Sequence, residues 1–150
     1  MIKSKLLISL LFISIIGGCG FHTPYKFETI NVELVGQTQS NIAKKITQRL
    51  NQDIAPTLIA DILSETKRQD SGSFNNNGTT LGYTLTYSVL IKVYNKNQKL
   101  ILDKLFSANT YLRKLTSSQA DRIQIEEAYE KLSDSIVRKF IRQLNRLNES

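Results

Sequence analysis

Apolar and polar residues alternate first around residue 30: Ile30, Val32 and Leu34 are separated by Asn31 and Glu33, with Thr29 ahead of them. A period of two predicts a half-buried strand, and Gly36 ends it. Thr38 or Ser40 can then cap a helix. In that helix Ile42, Ile46 and Leu50 recur every four residues beside Ala43, with Lys44, Lys45, Gln48 and Arg49 elsewhere on the wheel. The pattern predicts an amphipathic helix of about 13 residues, finished before Pro56. Residues 57–67 read as a second strand of loose alternation. Gln69 to Thr80 reads as a polar turn segment in which Asn77-Gly78 suits a tight hairpin.

The strongest pattern follows. Tyr83, Leu85, Tyr87, Val89, Ile91 and Val93 occupy one face, Thr84, Thr86, Ser88 and Lys92 the other, and only Leu90 breaks the alternation. Asn95 to Gln98 is a turn, and Leu100 to Leu112 returns as a fourth strand with Leu100, Leu102, Phe106 and Leu112 in one phase. From Ser118 a long helix begins, with Ser118 and Asp121 placed as a capping box. Ile125, Tyr129, Leu132, Ile136, Phe140, Leu144 and Leu147 step by three or four. Its first half is acidic and its second half basic, which complements the helix dipole, and Glu127–Lys131 and Asp134–Arg138 are spaced for ion pairing.

The order β-α-β-β-β-α has one economical solution, an α+β fold: a four-stranded mixed sheet with both helices packed on one face. The second face keeps its Thr, Ser and Lys side chains and is a surface on which a partner can close. If strands two to four form a meander, strands two and four run the same way. Lys67-Arg68 and Arg113-Lys114 then meet at one sheet edge as a four-cation patch able to hold phosphate. A first strand parallel to the second puts the chain's start at the opposite end, near the Asn95–Gln98 turn.

The N-terminal residues belong to a different pattern. Lys3 and Lys5 precede an apolar run from Leu6 to Ile16, interrupted only by Ser9 and Ser14. At ~1.5 Å per residue this run spans roughly 16 Å, half of a bilayer core, which fits a signal-peptide core rather than a membrane span. Ile16-Gly17-Gly18 leads directly into Cys19, the one cysteine of the chain. This arrangement resembles the bacterial lipobox, in which the thiol is diacylated, the chain is cut before the cysteine and the new amine is acylated. The expected division is a signal peptide over 1–18, a lipidated tether over 19–27 and a single domain over 28–150. Several acyl chains make a stable anchor where one does not. Gly20, where inner-membrane lipoproteins of enteric bacteria carry Asp, favours the periplasmic leaflet of the outer membrane.

Composition narrows the function. With 150 residues there is room for one domain, and a single Cys and a single His, His22, provide no cluster for a metal or a cofactor. His22 stands three residues from the acylated cysteine, remote from any nucleophile in the folded part, and no phosphate-binding Gly-rich loop or HExxH motif occurs. The expectation is a protein that is not an enzyme. The net charge of +7 suits an anionic lipid or glycolipid better than nucleic acid, which a lipoprotein outside the cytoplasm rarely meets.

Cys19-Gly20-Phe21-His22, the Tyr83-x-Leu85 start of the long third strand, and the helical C-terminus together resemble the LptE family of lipopolysaccharide-assembly lipoproteins. The chain departs from that family after His22, where Thr23-Pro24-Tyr25 stands in place of Leu-Arg-Gly. The resemblance implies a plug inside the LptD β-barrel that helps the barrel assemble and binds lipopolysaccharide on its way to the outer leaflet. Another envelope adaptor, such as a subunit of the barrel-assembly machinery, is the alternative; a hydrolase is the alternative from another class. One expectation depends on residue 19 alone: Cys19→Ala leaves an unanchored or uncleaved precursor that takes up no palmitate analogue. Outer-membrane fractionation with labelling checks it, and a labelled, membrane-bound variant contradicts the lipobox reading.

Overall fold

A computed structural model of the chain describes residues 31–148. Cys19, the apolar run before it, the tether, His22 and Ile30 lie outside the described residues. The elements are β1 (Val32–Gly36), α1 (Asn41–Thr47), β2 (Leu58–Phe74), β3 (Thr80–Asn95), β4 (Leu100–Arg113) and α2 (Ser118–Asn148). The sheet has the order β1-β2-β3-β4, with β1 parallel to β2 and the other neighbours antiparallel. This is the expected four-stranded mixed sheet of β-α-β-β-β-α order.

Leu85, Tyr87, Val89, Ile91 and Val93 form a fully buried row along β3. α2 lies over β3 and β4 and covers this row with Leu132, Ile136, Phe140 and Leu144. Two edge-to-face ring pairs fix the layers: Tyr87 against Tyr129, with centroids 6.4 Å apart, and Phe106 against Phe140, 5.7 Å apart. The direction of α2 follows from its contacts. Asp121 meets Tyr83, Tyr129 meets Tyr87, and Phe140 meets Phe106, the partner of Val89. The helix therefore advances along β3 from the β2–β3 turn toward the β3–β4 turn.

α1 is shorter than its periodicity suggests, at 7 residues. Ser40 caps it by accepting from the Ala43 N–H, and the helix ends at Thr47, whose hydroxyl bonds back to Ala43 O, with Gln48 as its C-cap. Leu50 is still buried, so the apolar stripe outlasts the helix. Ile42, Ala43 and Ile46 seat α1 in the core, while Lys45 spans to Glu130 at 2.7 Å and Asp134 at 3.0 Å on α2. Burial pulls the Lys45 ammonium down, but these two carboxylates outweigh it and its pKa lies above the usual lysine value. Asp134 is thereby taken by α1 rather than by Arg138.

The largest departure from expectation is β2, which does not stop at residue 67 but continues to Phe74. β1 covers only Leu58 to Ile62 of its outer side. Beyond that point β2 is an edge strand, and α2 passes over β3 and β4 instead. With neither edge nor face buried, residues 67–72 are exposed and polar, and their sequence carries no period-two pattern. In β4 the expected phase holds for Leu102, Phe106 and Leu112, but an irregularity between Val93 and Tyr94 puts Leu100 out of phase and exposed. Leu90 points to the open face beside exposed Leu105.

Both hairpin turns are built alike. The Asn75 carboxamide oxygen accepts from the N–H groups of Asn77 and Thr79, and that of Asn95 accepts from Asn97 and Lys99. The loops have three residues, not the two that Asn77-Gly78 suggested, and each ends on a left-handed residue: Gly78 at φ 76 and Gln98 at φ 59. A left-handed conformation costs a residue with a Cβ about 1–2 kcal/mol. Gly78→Ala is expected to lower stability by about 1 kcal/mol, while Gln98→Gly is expected to raise it by up to about 1 kcal/mol. Thermal unfolding of the two variants checks this, and shifts of the same sign contradict it.

A candidate binding tip beside the β2–β3 turn

At the end of the sheet formed by the β2–β3 turn, two chain segments are pinned together. Lys114 N–H donates to Leu81 O at 2.9 Å, Gln124 Nε2 donates to Arg113 O at 2.9 Å, and Leu115 N–H donates to Asp121 Oδ1 at 2.8 Å. Asp121 is only 6% exposed and takes a second bond from Tyr83 OH at 3.0 Å. Burial and the Asp121 carboxylate push the Tyr83 phenol above its usual pKa, so it remains a donor at neutral pH. Asp121 thus joins β3 to the β4–α2 connection. The cap of α2 is one residue earlier than the sequence suggests: Ser117 Oγ accepts from the Ala120 N–H at 3.4 Å.

Between these segments lies a groove of about 540 Å³ lined by Arg113, Lys114, Leu81, Leu115, Tyr111 and the hydroxyls of Ser73, Thr79, Thr80 and Thr116. Leu81, Leu115, Tyr111 and neighbouring Phe74 are exposed. Tyr111 lies across Gly82 and Gly72, with its hydroxyl 2.7 Å from Ser73 Oγ. A Cβ at Gly82 would stand 2.5 Å from Tyr111 Cζ and 2.6 Å from Leu112 O, so glycine is what lets this ring lie flat on the sheet. Among the described residues neither Arg113 nor Lys114 has a carboxylate within ion-pairing distance. The groove therefore offers cations, hydroxyl donors and apolar side chains together, which suits an amphiphile bearing an anionic group.

The four cations expected to converge do not. Lys67 pairs with Tyr87 and Arg68 with Thr86, in mid-strand, whereas Arg113 pairs with Gly82. Five residues of β3 separate the two levels, about 17 Å at ~3.3 Å per residue. Lys67 and Arg68 also face opposite sides of the sheet. The Lys67 ammonium lies 5.5 Å from the Tyr87 ring centroid and 5.4 Å from that of Tyr129, and Arg68 Nε is 2.8 Å from Asp70 Oδ2. The physical reason is the unforeseen length of β2, whose true end is Phe74. The hydroxyls and the exposed aromatic side chains of the tip had no period that could single them out.

The expected polarity of the fold does appear. Val32 pairs with Leu58, and Leu58 with Asn95, so the chain enters the sheet beside the β3–β4 turn. With a β3 of 16 residues the groove lies about 50 Å from that point at ~3.3 Å per residue, nearly twice the separation that a strand of ordinary length would give.

Comparison with known proteins places this architecture. The fold resembles the crystal structure of rare lipoprotein B from Shewanella oneidensis, at 12% identity and a TM-score of 0.63, covering 78% of this chain and 98% of that one. It resembles the solution structure of an uncharacterized lipoprotein B from Nitrosomonas europaea, at 14% identity and a TM-score of 0.66, with 85% and 88% covered. A minor lipoprotein from Acinetobacter baumannii shares the fold at 16% identity and a TM-score of 0.54, with 82% and 96% covered. No curated protein matches by sequence. The sequence profile of the family described as LptE, lipopolysaccharide-assembly, matches residues 27–140, which take in every element but the end of α2. The chain belongs to the LptE lipopolysaccharide-assembly family.

Proposed function

We propose that this protein is an outer-membrane lipoprotein, held in the periplasmic leaflet through acylated Cys19, that plugs an LptD-type β-barrel, helps it assemble and binds lipopolysaccharide during its delivery. The protein acts by binding and positioning, with no catalytic step of its own. The observation that carries this reading is the distance between the point where the chain enters the sheet, at Val32, and the groove. A tethered chain entering the sheet at one end, and a cationic, partly apolar tip about 50 Å from that entry, suit a domain that stands at the membrane on its base and reaches into a barrel.

Within that reading Arg113 and Lys114 take phosphate groups of the glycolipid, and Leu81, Leu115 and Tyr111 meet its apolar parts. Lys67 and Arg68 contribute little, because one ammonium is occupied by aromatic faces and the other cation by Asp70.

Charge-assisted bonds of this kind are worth about 1.5–3 kcal/mol. Arg113→Ser with Lys114→Ser is expected to weaken lipopolysaccharide binding by about tenfold or more, with a melting temperature nearly unchanged because both side chains are exposed. Lys67→Ser with Arg68→Ser is the charge-matched comparison and should change binding little. Equal losses in the two double variants would reduce the tip to non-specific attraction. Extraction in mild detergent tests the partner: an LptD-type barrel should co-purify, and recovery with the barrel-assembly machinery instead would move the protein to the rival assignment.

A further inference from the structure

A second cationic surface lies away from the tip, along the outer edge of β4. Lys104, Lys139, Arg142 and Arg146 line a groove of about 390 Å³ together with Leu105, Phe106, Ser107 and Gln143. No acidic side chain is among the lining residues. The floor is rigid, since Phe106 is locked edge-to-face against Phe140. Lys139 Nζ reaches across the groove to Ser107 O at 2.6 Å, and Arg142 Nε bonds to Arg138 O at 3.3 Å. Lys104 Nζ stands 5.5 Å from the Phe106 ring centroid. Among the described residues Lys104, Lys139 and Arg142 have no carboxylate within ion-pairing distance.

The helix dipole does not account for this charge. Its attraction for cations fades within the last turn, whereas Lys139 and Arg142 stand more than one turn before Asn148. Most of the acidic half of α2 is already matched, by Lys45 at Glu130 and Asp134 and by Arg122 near Glu126. Three cations gathered round an apolar floor are unfavourable unless something anionic joins them.

Position identifies the occupant. α2 advances toward the β3–β4 turn, and Lys104 pairs with Ile91, four residues from Asn95. The groove therefore lies in the half of the fold where the chain enters from residue 31. The stretch from Cys19 to Asn31 can span up to about 43 Å when extended, so a membrane that held Cys19 would be within reach. We propose that the groove between β4 and the C-terminal half of α2 binds the phosphate head group of an anionic phospholipid from the leaflet that carries the anchor. Lys104, Lys139 and Arg142 surround the phosphate, and Leu105 and Phe106 meet the glycerol and the first methylenes. The assignment rests on the anchored reading of Cys19 but not on the barrel, and it gives the base of the domain a fixed orientation on the membrane.

The test uses the mature acylated protein in dodecyl maltoside micelles without a barrel, so its failure is separate from a failed co-purification. Dihexanoyl phosphatidylglycerol is titrated in, and backbone amide shifts are followed by NMR. Saturable shifts confined to residues 104–107 and 139–146 are expected, with affinity about tenfold above that for dihexanoyl phosphatidylcholine. Lys104→Ser, Lys139→Ser and Arg142→Ser together should abolish the shifts, while Lys44→Ser, Arg122→Ser and Lys131→Ser should leave them. If the first triple variant loses its fold, Arg142→Gln alone is used and should weaken binding about threefold; unchanged affinity overturns the assignment. Equal binding of phosphatidylcholine, or equal loss in the comparison triple, also overturns it. So does inorganic phosphate binding as tightly as phosphatidylglycerol, which marks a free-anion site. An acidic peptide that binds as tightly as the lipid overturns it in favour of a protein partner.

Discussion

The buried face of β3 must be covered over its whole length, and the rest of the fold follows from that requirement. A strand of 16 residues is about 50 Å long at ~3.3 Å per residue. A helix of 31 residues is about 46 Å long at ~1.5 Å per residue. α2 and β3 are therefore matched in span, and the helix can lie along the strand with Tyr129 and Phe140 packed against Tyr87 and Phe106 at successive levels. α1 needs to fill only the corner beside β1, which is why seven residues suffice. Burying a large apolar side chain is worth about 1.5–3 kcal/mol, so the fully buried row on β3 dominates the stability of the sheet.

An elongated sheet under one helix has two distant ends, and the chain gives them different chemistry. The end beside the β2–β3 turn has Arg113 and Lys114 with exposed Leu81, Leu115 and Tyr111. The other half has the row Lys139, Arg142 and Arg146 facing Lys104. Among the described residues Arg113, Lys114, Lys104, Lys139 and Arg142 have no carboxylate within ion-pairing distance, while Glu130 and Asp134 are engaged by Lys45 and Asp121 holds the joint at the tip. On the open face the polar side chains satisfy one another instead: Ser88 meets Ser107 at 2.9 Å, Lys92 lies 3.6 Å from Asp103, and Arg68 binds Asp70. That face is consequently quieter electrostatically than either end.

The element order, the parallel crossover and the buried face of β3 were legible in the sequence because each has a strict period and a single buried side. The misreadings share one cause. Periodicity reports burial, and residues 67–74 are an edge strand with little of it, paired to β3 on one side and largely open to solvent. Extending β2 by seven residues separates Lys67 from Arg113 and nearly doubles the distance between base and tip. Along the helix the cations of the β4–α2 groove match the dipole, and nothing in one dimension places Lys104 beside Arg142. The spacing of Asp121 from Ser118 fits a capping residue; its role in bonding Tyr83 and Leu115 depends on how β3 meets the connection.

The central claim is that the two ends face different surroundings, the tip inside a barrel and the base at the membrane. A photo-crosslinking amino acid placed at Asn77 in one variant and at Asn97 in another tests this in the intact outer membrane, since both positions are exposed loop residues. The account predicts that the Asn77 probe captures the barrel partner and that the Asn97 probe does not. Capture of the barrel from Asn97 and not from Asn77, or equally from both, would contradict it.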